Sequence, residues 1–445
     1  MDRSSRRRFL GTVGAAGMAG AWPTLDLRLA AGPDMRKAFT GPYLNAAEFG
    51  AVADGSHDAT GAIQKALDTQ SRLGGGVVAL QAGEFTLGGN LHIPESVALC
   101  GTARGPTSRA ATGFPSDQLA GTVARGTVLR AIGGHGKEDG PPLITLATNA
   151  AIQGLAIWYP GQNPLETPVA YPWTLRLNGE NVTVENVELL NSWKGINADS
   201  AHRHFIRNVT GQPLRIGIFV DNIYDIGRIE NVHFNPWWSQ SRPVQSFMYR
   251  HGESFVFGRS DWEYVLNTFS FGYKTGYRFI QGKTGACNGN FLGIGADASM
   301  HAVRVEQSQS PGLLITNGEF VSFDHLALGG MQPRQVVVEA ANNGPVRFVN
   351  SSFWGPSDGI AKLAGRGTVG FNACTIVQWN PAFAAVESAG APLIINGCEF
   401  QQPGTQVRLG KSVRQAVVSG NLFAGTLRID NQSSGAVEIG LNSSQ

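Results

Sequence analysis

One short motif recurs along the chain from about residue 180: an apolar residue, a variable residue, Asn, and then alternating apolar positions. Successive asparagines of the motif are 22, 23, 36, 23, 27, 33, 22 and 24 residues apart. A period of 22–24 residues with occasional insertions is typical of a solenoid. The asparagines that carry the motif are Asn186, Asn208, Asn231, Asn267, Asn290, Asn317, Asn350, Asn372 and Asn396.

The repeated asparagine favours one kind of solenoid, the right-handed parallel β-helix. Its coils are about 22 residues long and stack at the strand spacing of about 4.8 Å. An Asn at a sharp corner tolerates the left-handed backbone conformation, and its amide can bond to the Asn of the next coil. A leucine-rich repeat would instead show a fixed leucine framework. We therefore expect the nine asparagines to form one line along the solenoid axis, with Gly154 in the equivalent place of an earlier coil.

Composition and the N-terminal half agree with an all-β fold that has an N-terminal capping helix. Charged residues make up 15% of the chain and glycine contributes 58 residues, which suits short strands and tight turns. A helix is predicted from Asp58, its N-cap, to Leu73, before the run Gly74-Gly75-Gly76. Cys374 and Cys398 each follow an Asn by two residues, so we expect stacked thiols in the core.

Residues 1–31 have the features of an export signal. Ser5-Arg6-Arg7-Arg8-Phe9-Leu10 resembles the twin-arginine signature and precedes a weakly apolar segment. Five Arg and two Asp lie in this segment, so the rest of the chain has 30 basic and 31 acidic residues. No basic surplus remains for nucleic acid, and no later run is apolar enough for a membrane. We expect a single domain over residues 32–445 (45–101 entry segment and cap, 180–440 clearest coils), periplasmic or secreted.

The segment over residues 45–101 carries a resemblance to a known group. Phe49-Gly50-Ala51-Val52-Ala53-Asp54-Gly55, followed by Asp58-Ala59-Thr60 and later by Gly74-Gly75-Gly76-Val77-Val78, is similar to the entry segment of the pectate-lyase-like superfamily. Polygalacturonases and their relatives belong to that group. The resemblance implies an exported β-helix that acts on polysaccharides. Polygalacturonases carry Asn-Thr-Asp, Asp-Asp, Gly-His-Gly and Arg-x-Lys motifs in that order, and this chain lacks the ordered set, although Gly134-His135-Gly136 occurs by itself ahead of the acidic candidates. This departure argues against polygalacturonase activity itself.

The repeat also predicts a row of carboxylates. Asp199 and Asp221 end equivalent strands 22 residues apart, and Asp261 follows the matching strand of the next coil. Neighbours on adjacent coils would lie about 5–10 Å apart, a range that includes the separations used in glycoside hydrolysis. We therefore predict Asp221 and Asp261 as the catalytic acid and base, with Asp199 in reserve. Strand-ending aspartates that only form turns are the alternative interpretation.

The longest insertion, between Asn231 and Asn267, predicts the substrate-binding surface. Indole rings stack on sugar rings and arginine binds carboxylates or sulfates. We expect three tryptophans to face the same open side as Asp221, with their rings partly exposed. The predicted binding residues are Trp237, Trp238, Trp262, Arg250, His251, Arg203, His204, Arg259 and Glu253.

These features predict hydrolysis of glycosidic bonds in a polysaccharide, without a metal or another cofactor. The first alternative is a lyase that performs β-elimination on a uronate polymer, using calcium held by Asp199, Asp221 and Asp225 with Arg203 or Arg250 as base. The second alternative is a glycan-binding β-helix without catalytic activity. The sequence makes no prediction of the oligomeric state.

Overall fold

A computed structural model of the chain describes residues 43–102 and 126–444. The strands of these residues form two parallel sheets whose order advances by one coil at a time. The predicted right-handed parallel β-helix is confirmed. The export signal predicted over residues 1–31 lies outside the described residues, and export stays a prediction. Within the described residues, no helix is long and apolar enough to cross a membrane.

Among the described residues, the smaller sheet contains thirteen strands, one from each coil that contributes to it. The loops that lead into these strands lie along one edge of the sheet, which we call the entry edge. The loops that leave the strands lie along the opposite edge, which we call the exit edge. Its strands are β5 (Leu91–Ile93), β8 (Ile144–Leu146), β10 (Trp173–Leu177), β12 (Lys194–Asp199), β14 (Ile216–Asp221), β17 (Glu253–Phe257), β20 (Thr275–Phe279), β23 (His301–Val305), β26 (Arg334–Val338), β29 (Gly359–Leu363), β32 (Val386–Ser388), β35 (Val407–Leu409) and β38 (Ile429–Asn431).

The larger sheet contains twenty-seven strands among the described residues and bends at the asparagine corner. Its strands are β1 (Tyr43–Asn45), β2 (Asp54–Asp58), β3 (Gly76–Ala79), β4 (Gly83–Leu87), β6 (Val97–Cys100), β7 (Thr127–Ala131), β9 (Ala151–Trp158), β11 (Thr183–Leu189), β13 (Phe205–Gly211), β15 (Arg228–Glu230), β16 (His233–Phe234), β18 (Ser260–Leu266), β19 (Phe269–Phe271), β21 (Cys287–Leu292), β22 (Gly295–Ser299), β24 (Ser308–Thr316), β25 (Glu319–Ser322), β27 (Val346–Val349), β28 (Ser352–Phe353), β30 (Val369–Asn372), β31 (Thr375–Ile376), β33 (Leu393–Asn396), β34 (Glu399–Phe400), β36 (Gln415–Ser419), β37 (Leu422–Phe423), β39 (Ala436–Gly440) and β40 (Ser443–Ser444).

The N-terminal end of the core is covered by helix α1 (Thr60–Arg72), which a short 3₁₀ helix, η1 (Ala46–Phe49), precedes. Ile63, Ala66 and Leu67 form its buried face. The structure places the N-cap one residue later than predicted, at Ala59. Asp58 still contributes, because its Oδ1 accepts a bond from the Thr60 amide at 2.9 Å.

The asparagine corner is confirmed for most coils. Asn186, Asn208 and Asn231 have φ values of 54°, 54° and 51°. The Asn208 amide donates to the Asn186 side-chain oxygen at 2.9 Å, and the Asn231 amide donates to that of Asn208 at 2.7 Å. Gly154, with φ of 68°, takes the equivalent place, as predicted. Each such bond satisfies polar groups at a corner where the strand ladder is interrupted.

Three of the nine predicted ladder positions are wrong. Asn290 lies inside β21, opposite Tyr264, and the corner of that coil is Gly293, with φ of 63°. Asn372 and Asn396 are the last strand residues before the corner. In those coils the left-handed corner residue is the next one along the chain, Ala373 or Gly397. An Asn therefore marks a corner only approximately, since other residues can adopt the same conformation there.

The predicted stacking of two thiols is confirmed. Cys374 and Cys398 are buried and free, and the Cys374 amide donates to the Cys398 sulfur at 3.4 Å. The two cysteines follow adjacent strands, β30 and β33, whose ends pair in register. They fill the core of the C-terminal coils as small apolar side chains do.

We predict that Asn208→Ala lowers the free energy of unfolding by about 3–4 kcal/mol. The loss combines two amide bonds, worth about 1 kcal/mol each, with the cost of about 1–2 kcal/mol for Ala in the left-handed region. Asn208→Gly is the control, because it removes the same bonds without the backbone strain and should cost less. Urea titration of both variants measures the difference, and an Ala variant as stable as wild type would contradict a stabilising ladder.

Candidate active site

The outer face of the smaller sheet carries a series of paired charged side chains. Along β17, β20 and β23 the third residue points into the core, as fully buried Phe255, Tyr277 and Val303 show. By alternation the fourth residue of each of these strands points outward. Glu253, the first residue of β17, reaches the same face, because its carboxylate lies 2.8 Å from the guanidinium of Arg278, the fourth residue of β20. We call the outward surface of strands β10 to β26 the groove face.

A pair of carboxylates bridged by one arginine lies in the middle of the groove face. The Arg278 guanidinium is 2.8 Å from the Glu253 carboxylate and 2.7 Å from that of Glu306. Arg215 approaches Glu253 from the other side at 3.8 Å. The Glu253 side chain is 8% exposed, whereas that of Glu306 is 27% exposed. Two carboxylates are thus fixed close together, one of them accessible to solvent.

A histidine and two arginines lie further along the groove face, towards the C-terminus. His301 lies in register with Thr275 of the preceding strand and Arg334 of the next. Burial, aided by nearby cations such as Arg304, lowers the pKa of His301 to about 4. The ring is therefore neutral at neutral pH. Arg304 itself is paired with Glu339 at 3.0 Å.

Aromatic rings occupy the N-terminal part of the groove face. Trp173 and Phe219 have ring centroids 6.1 Å apart, and the Lys194 ammonium lies 5.3 Å from the Trp173 ring. Trp173 also lines a pocket of about 170 Å³ whose other walls include Lys137 and several glycines. Flat rings beside cations form a surface on which a sugar ring can stack.

Asp199 and Asp221 lie in register on adjacent strands, as predicted, but Asp261 does not extend the row. After β17, only Gly258 and Arg259 precede the next strand, in which Asp261 lies. The residue of the next coil that lies in register with Asp221 is therefore Gly258. The prediction of a row of three aspartates is wrong, because the turn after β17 is too short to place a third aspartate there.

Asp221 is fixed by the turn that follows its strand. Its Oδ1 accepts bonds from the Asn222 amide at 2.8 Å and the Arg259 amide at 2.6 Å. The backbones of Gly258 and Gly282 pack so closely on the carboxylate that neither position has space for a Cβ. Asp199 is more exposed and lies 3.5 Å from Arg176. The catalytic role of the aspartates stays a prediction.

The three predicted tryptophans do not form one surface. Trp238 is 1% exposed and belongs to the core, which contradicts the expectation for this residue. Trp237 packs on the His233 ring at 4.7 Å, in the loop that leads to the entry edge. Trp262 is 60% exposed and lies just beyond the exit edge, where Asp221 also lies. Of the three, only Trp262 shares an edge with Asp221.

The insertion that carries these tryptophans forms helix α2 (Arg242–His251) at the entry edge. The His251 carbonyl accepts a bond from Arg215 at 2.6 Å, which attaches the end of the helix to the groove face. Burial lowers the pKa of His251, and the neighbouring charges of Arg215, Lys274 and Arg250 act in the same direction. The predicted binding residues Arg250, His251 and Glu253 therefore share one side of the groove.

Two of the arginines predicted to bind substrate lie at the exit edge, where they form salt bridges with acidic side chains. Arg259 is 3.0 Å from Asp261 and lies over the Tyr224 ring. Arg203 binds the carboxylates of Glu180 and Asp225, the latter at 2.6 Å. These contacts hold successive turns of the exit edge together.

His204, predicted as a binding residue, is instead part of the buried structure. Its ring and the Glu263 carboxylate are both fully buried, 3.0 Å apart. Burial opposes a charge on the ring, but Glu263 and the Ala201 carbonyl together raise the pKa of His204. Ser260 donates a further bond to Glu263 at 2.5 Å. This assignment of His204 to the surface was wrong, since the exit-edge turn closes over the ring.

The residues named for a calcium site do not come together as ligands. In the part of the chain that the structure describes, no group of three or more His, Cys, Asp or Glu side chains is arranged to hold an ion. Asp221 accepts backbone amides and Asp225 pairs with Arg203. The calcium-dependent form of the lyase alternative therefore finds no ligand set among these residues.

Sequence reasoning missed Arg278 and Glu306, which bind each other beside Glu253. The regular spacing of arginines could have revealed this part of the site. Arg278 and Arg304 are 26 residues apart, and each is the fourth residue of its strand. A search restricted to aspartates at strand ends did not include them.

The fold and the charged groove face define a parallel β-helix protein of the pectate-lyase-like class. The chain belongs to the rhamnogalacturonase A/epimerase, pectate lyase-like family, whose model matches residues 43–270. Membership of this family supports a carbohydrate-active function in general. A comparison with curated proteins gave no match.

Solved structures share the fold at low sequence identity. The A-module of the Azotobacter vinelandii mannuronan C-5 epimerase AlgE6 is 15% identical, with a TM-score of 0.50 over 90% of this chain and 99% of that one. The N-terminal fragment of bacteriophage phi29 gene product 12 is 13% identical, with a TM-score of 0.60 over 90% of this chain and 70% of that one.

Proposed function

We propose that this protein hydrolyses glycosidic bonds in a polysaccharide, and that the reaction takes place on the groove face. The observation that carries the proposal is the pair of carboxylates, Glu253 and Glu306, bridged by Arg278. Glycoside hydrolysis uses two carboxyl groups on either side of the scissile bond, one as acid and one as base or nucleophile. The family of the chain agrees with a polysaccharide substrate.

The surroundings of the pair suggest which carboxyl group takes which role. Glu253 contacts two guanidinium groups, those of Arg278 and Arg215, which fix the position of its carboxylate. We assign Glu253 as the base or nucleophile. Glu306 contacts only Arg278 among the arginines of this group and is more exposed. We assign Glu306 as the acid that protonates the leaving oxygen.

The N-terminal part of the groove face supplies a surface for the sugar chain. Trp173 and Phe219 lie on the same outer surface as Glu253, with Lys194 beside them. A polysaccharide bound along the solenoid axis would stack on these rings while its scissile bond lies over the carboxylates. Positioning of this kind contributes to catalysis because it holds the bond near the reacting groups.

β-Elimination is the second candidate, and the cations of the groove face favour it. Arg215 and Arg278 flank the Glu253 carboxylate, and Lys274 lies close enough to His251 to act on its charge. Cations beside the carboxylate of a uronate stabilise the charge that develops when the adjacent proton is removed.

A panel of neutral and acidic polysaccharides, incubated with the purified protein, tests the proposal. We expect new reducing ends without the ultraviolet absorbance of an unsaturated uronate. Reducing ends together with that absorbance would indicate a lyase, and a changed uronate composition without cleavage would indicate an epimerase. Binding without any product would indicate a glycan-binding protein. The same assay on Asp221→Asn and Asp261→Asn tests the catalytic roles predicted from the sequence.

A further inference from the structure

The cavity of about 170 Å³ beside Trp173 lies at the N-terminal end of the smaller sheet. Its walls come from the segments that lead into β5, β8 and β10. β5 is the end strand of this sheet, and the Gln64 side chain of helix α1 bonds to both backbone groups of His92 within it. The cavity therefore adjoins β10, where the groove face begins.

The segments that form the cavity wall are joined to one another along the entry edge. The Asn90 side-chain amide donates to the Pro142 carbonyl at 2.7 Å, which connects the segments before β5 and β8. Lys194, the first residue of β12, donates to the Glu138 carbonyl at 3.0 Å. The segment before β8 thus reaches past β10 and forms a continuous wall over the first strands of the sheet.

Glycines allow this wall to pack closely. A Cβ at Gly134, whose φ is 81°, would lie 2.8 Å from the Pro172 ring, and one at Gly140 would lie 3.0 Å from the same ring. Larger residues at either position would displace the wall. The Gly134-His135-Gly136 sequence, which resembles an isolated polygalacturonase motif, is therefore part of the wall of a cavity.

The size and lining of the cavity suit a single sugar residue. Trp173, Leu143 and Tyr159 contribute apolar surface, and Asn90 and Lys137 contribute polar groups. A pyranose has apolar faces that stack on an indole ring and a rim of hydroxyl groups that form hydrogen bonds. A cavity of about 150 Å³ holds a benzene ring, so the volume here corresponds to one six-membered ring.

We propose that this cavity binds the terminal sugar residue of a polysaccharide, so that the protein acts from chain ends. The inference rests on the proposed function, since it names the mode of attack of that site. The continuous wall and the room for one ring stop the polymer there, and the rest of the chain extends along the groove face.

The register of the smaller sheet fixes the distance from the cavity to the carboxylates. Trp173, Lys194, Ile216 and Glu253 occupy one row on four successive strands. Three steps of about 4.8 Å place Glu253 about 14 Å from Trp173 along the groove. A chain held by its terminal residue is therefore cut at one distance from its end, and products of one length are expected.

The course of the reaction tests action from chain ends. Reducing ends and viscosity are followed together while the full-length protein acts on the best substrate of the panel. We expect reducing ends to accumulate while the viscosity stays close to its starting value, with short products of one length from the first time points. An early collapse of viscosity with products of many lengths would overturn the inference.

Lys137→Trp tests the cavity itself. Lys137 is exposed in the cavity wall, so the variant should fold, and an indole there occupies the space for the sugar. We expect the KM for the polysaccharide to rise by at least about 10-fold. The control is Lys411→Trp, an exposed position between β35 and β36, where the KM should stay that of wild type. A folded Lys137→Trp variant with the wild-type KM would contradict the proposed site.

End-blocked oligosaccharides test the cavity without requiring turnover. Short oligosaccharides are prepared by acid hydrolysis of each polysaccharide of the panel and are blocked with aminobenzamide at the reducing end or with a benzylidene group at the other end. We expect the unmodified form to raise the melting temperature of the Glu253→Gln protein, and one of the two blocked forms to lose this shift. Equal shifts from all three forms, or no shift from any oligosaccharide, would overturn the inference.

The two proposals fail separately. If one blocked form loses binding while no polysaccharide is cleaved, the cavity stands as a site for chain ends and the hydrolase proposal falls. If polysaccharides are cleaved at internal bonds and both blocked forms bind as the unmodified form does, the hydrolase stands and action from chain ends falls.

Discussion

Glu253→Gln is expected to lower turnover by at least about 10²-fold while the protein stays folded. The amide keeps the shape of the side chain but can act neither as base nor as nucleophile. Arg278 retains its contact with Glu306 in the variant, so no guanidinium of the bridge loses all its partners. Turnover of the best substrate from the panel, with circular dichroism to establish folding, measures the effect.

The control for this experiment is Asp430→Asn. Asp430 also pairs with an arginine on the outer face of the smaller sheet, Arg408 at 3.0 Å, but it lies in the last coils of the solenoid. Loss of an ion pair there should leave turnover close to that of wild type. A folded Glu253→Gln variant with wild-type turnover would show that the reaction uses other carboxylates, and Asp261 and Asp199 would then be tested next.

Glu263→Ala is expected to lower the free energy of unfolding by about 3–5 kcal/mol, since it leaves a buried charge without its partner. His204 and the Ser260 hydroxyl both lose their contact with this carboxylate, and neither is accessible to water in the folded state. Chemical denaturation at pH 6 measures the change. A loss below about 1 kcal/mol would show that the pair contributes little net stability.

The same pair predicts a dependence of stability on pH. The pKa of His204 is raised in the folded protein, mainly by Glu263 acting against burial. The contribution of the protonated ring is complete below its unfolded pKa of about 6.5 and is lost as the pH rises through the folded value. Wild type should therefore lose stability above neutral pH. The double variant His204→Gln, Glu263→Gln has no titratable side chain at either position. Its free energy of unfolding should therefore lack this decrease above neutral pH.

The repeat predicted the fold because each coil obeys the same steric rule at its corner. A residue in the left-handed conformation is required there, and Asn or Gly meets the requirement in most coils, as at Asn208 and Gly154. The exact corner was less predictable. Ala373 takes it in one coil, since the stacked coils on either side fix its backbone.

The site was less predictable than the fold because loop lengths decide which side chains meet. The prediction placed Asp261 beside Asp221, but the two-residue turn after β17 left no position for it there. Trp238 was assigned to the surface from its place in an insertion, and the insertion folds back over the core instead. Glu253 was predicted as a binding residue from its place in the insertion, and it lies on the groove face beside Arg278 and Glu306, which were not foreseen.

The regular stacking of the smaller sheet gives the groove a modular length. Each coil contributes one strand and about 4.8 Å of surface, and its neighbours contact it only through adjacent strands. Duplication or deletion of a whole coil between β10 and β17 would therefore move Trp173 relative to Glu253 by one fixed increment. The distance between this aromatic ring and the paired carboxylates of the groove face is thus set by a count of coils, so it can change only in whole steps.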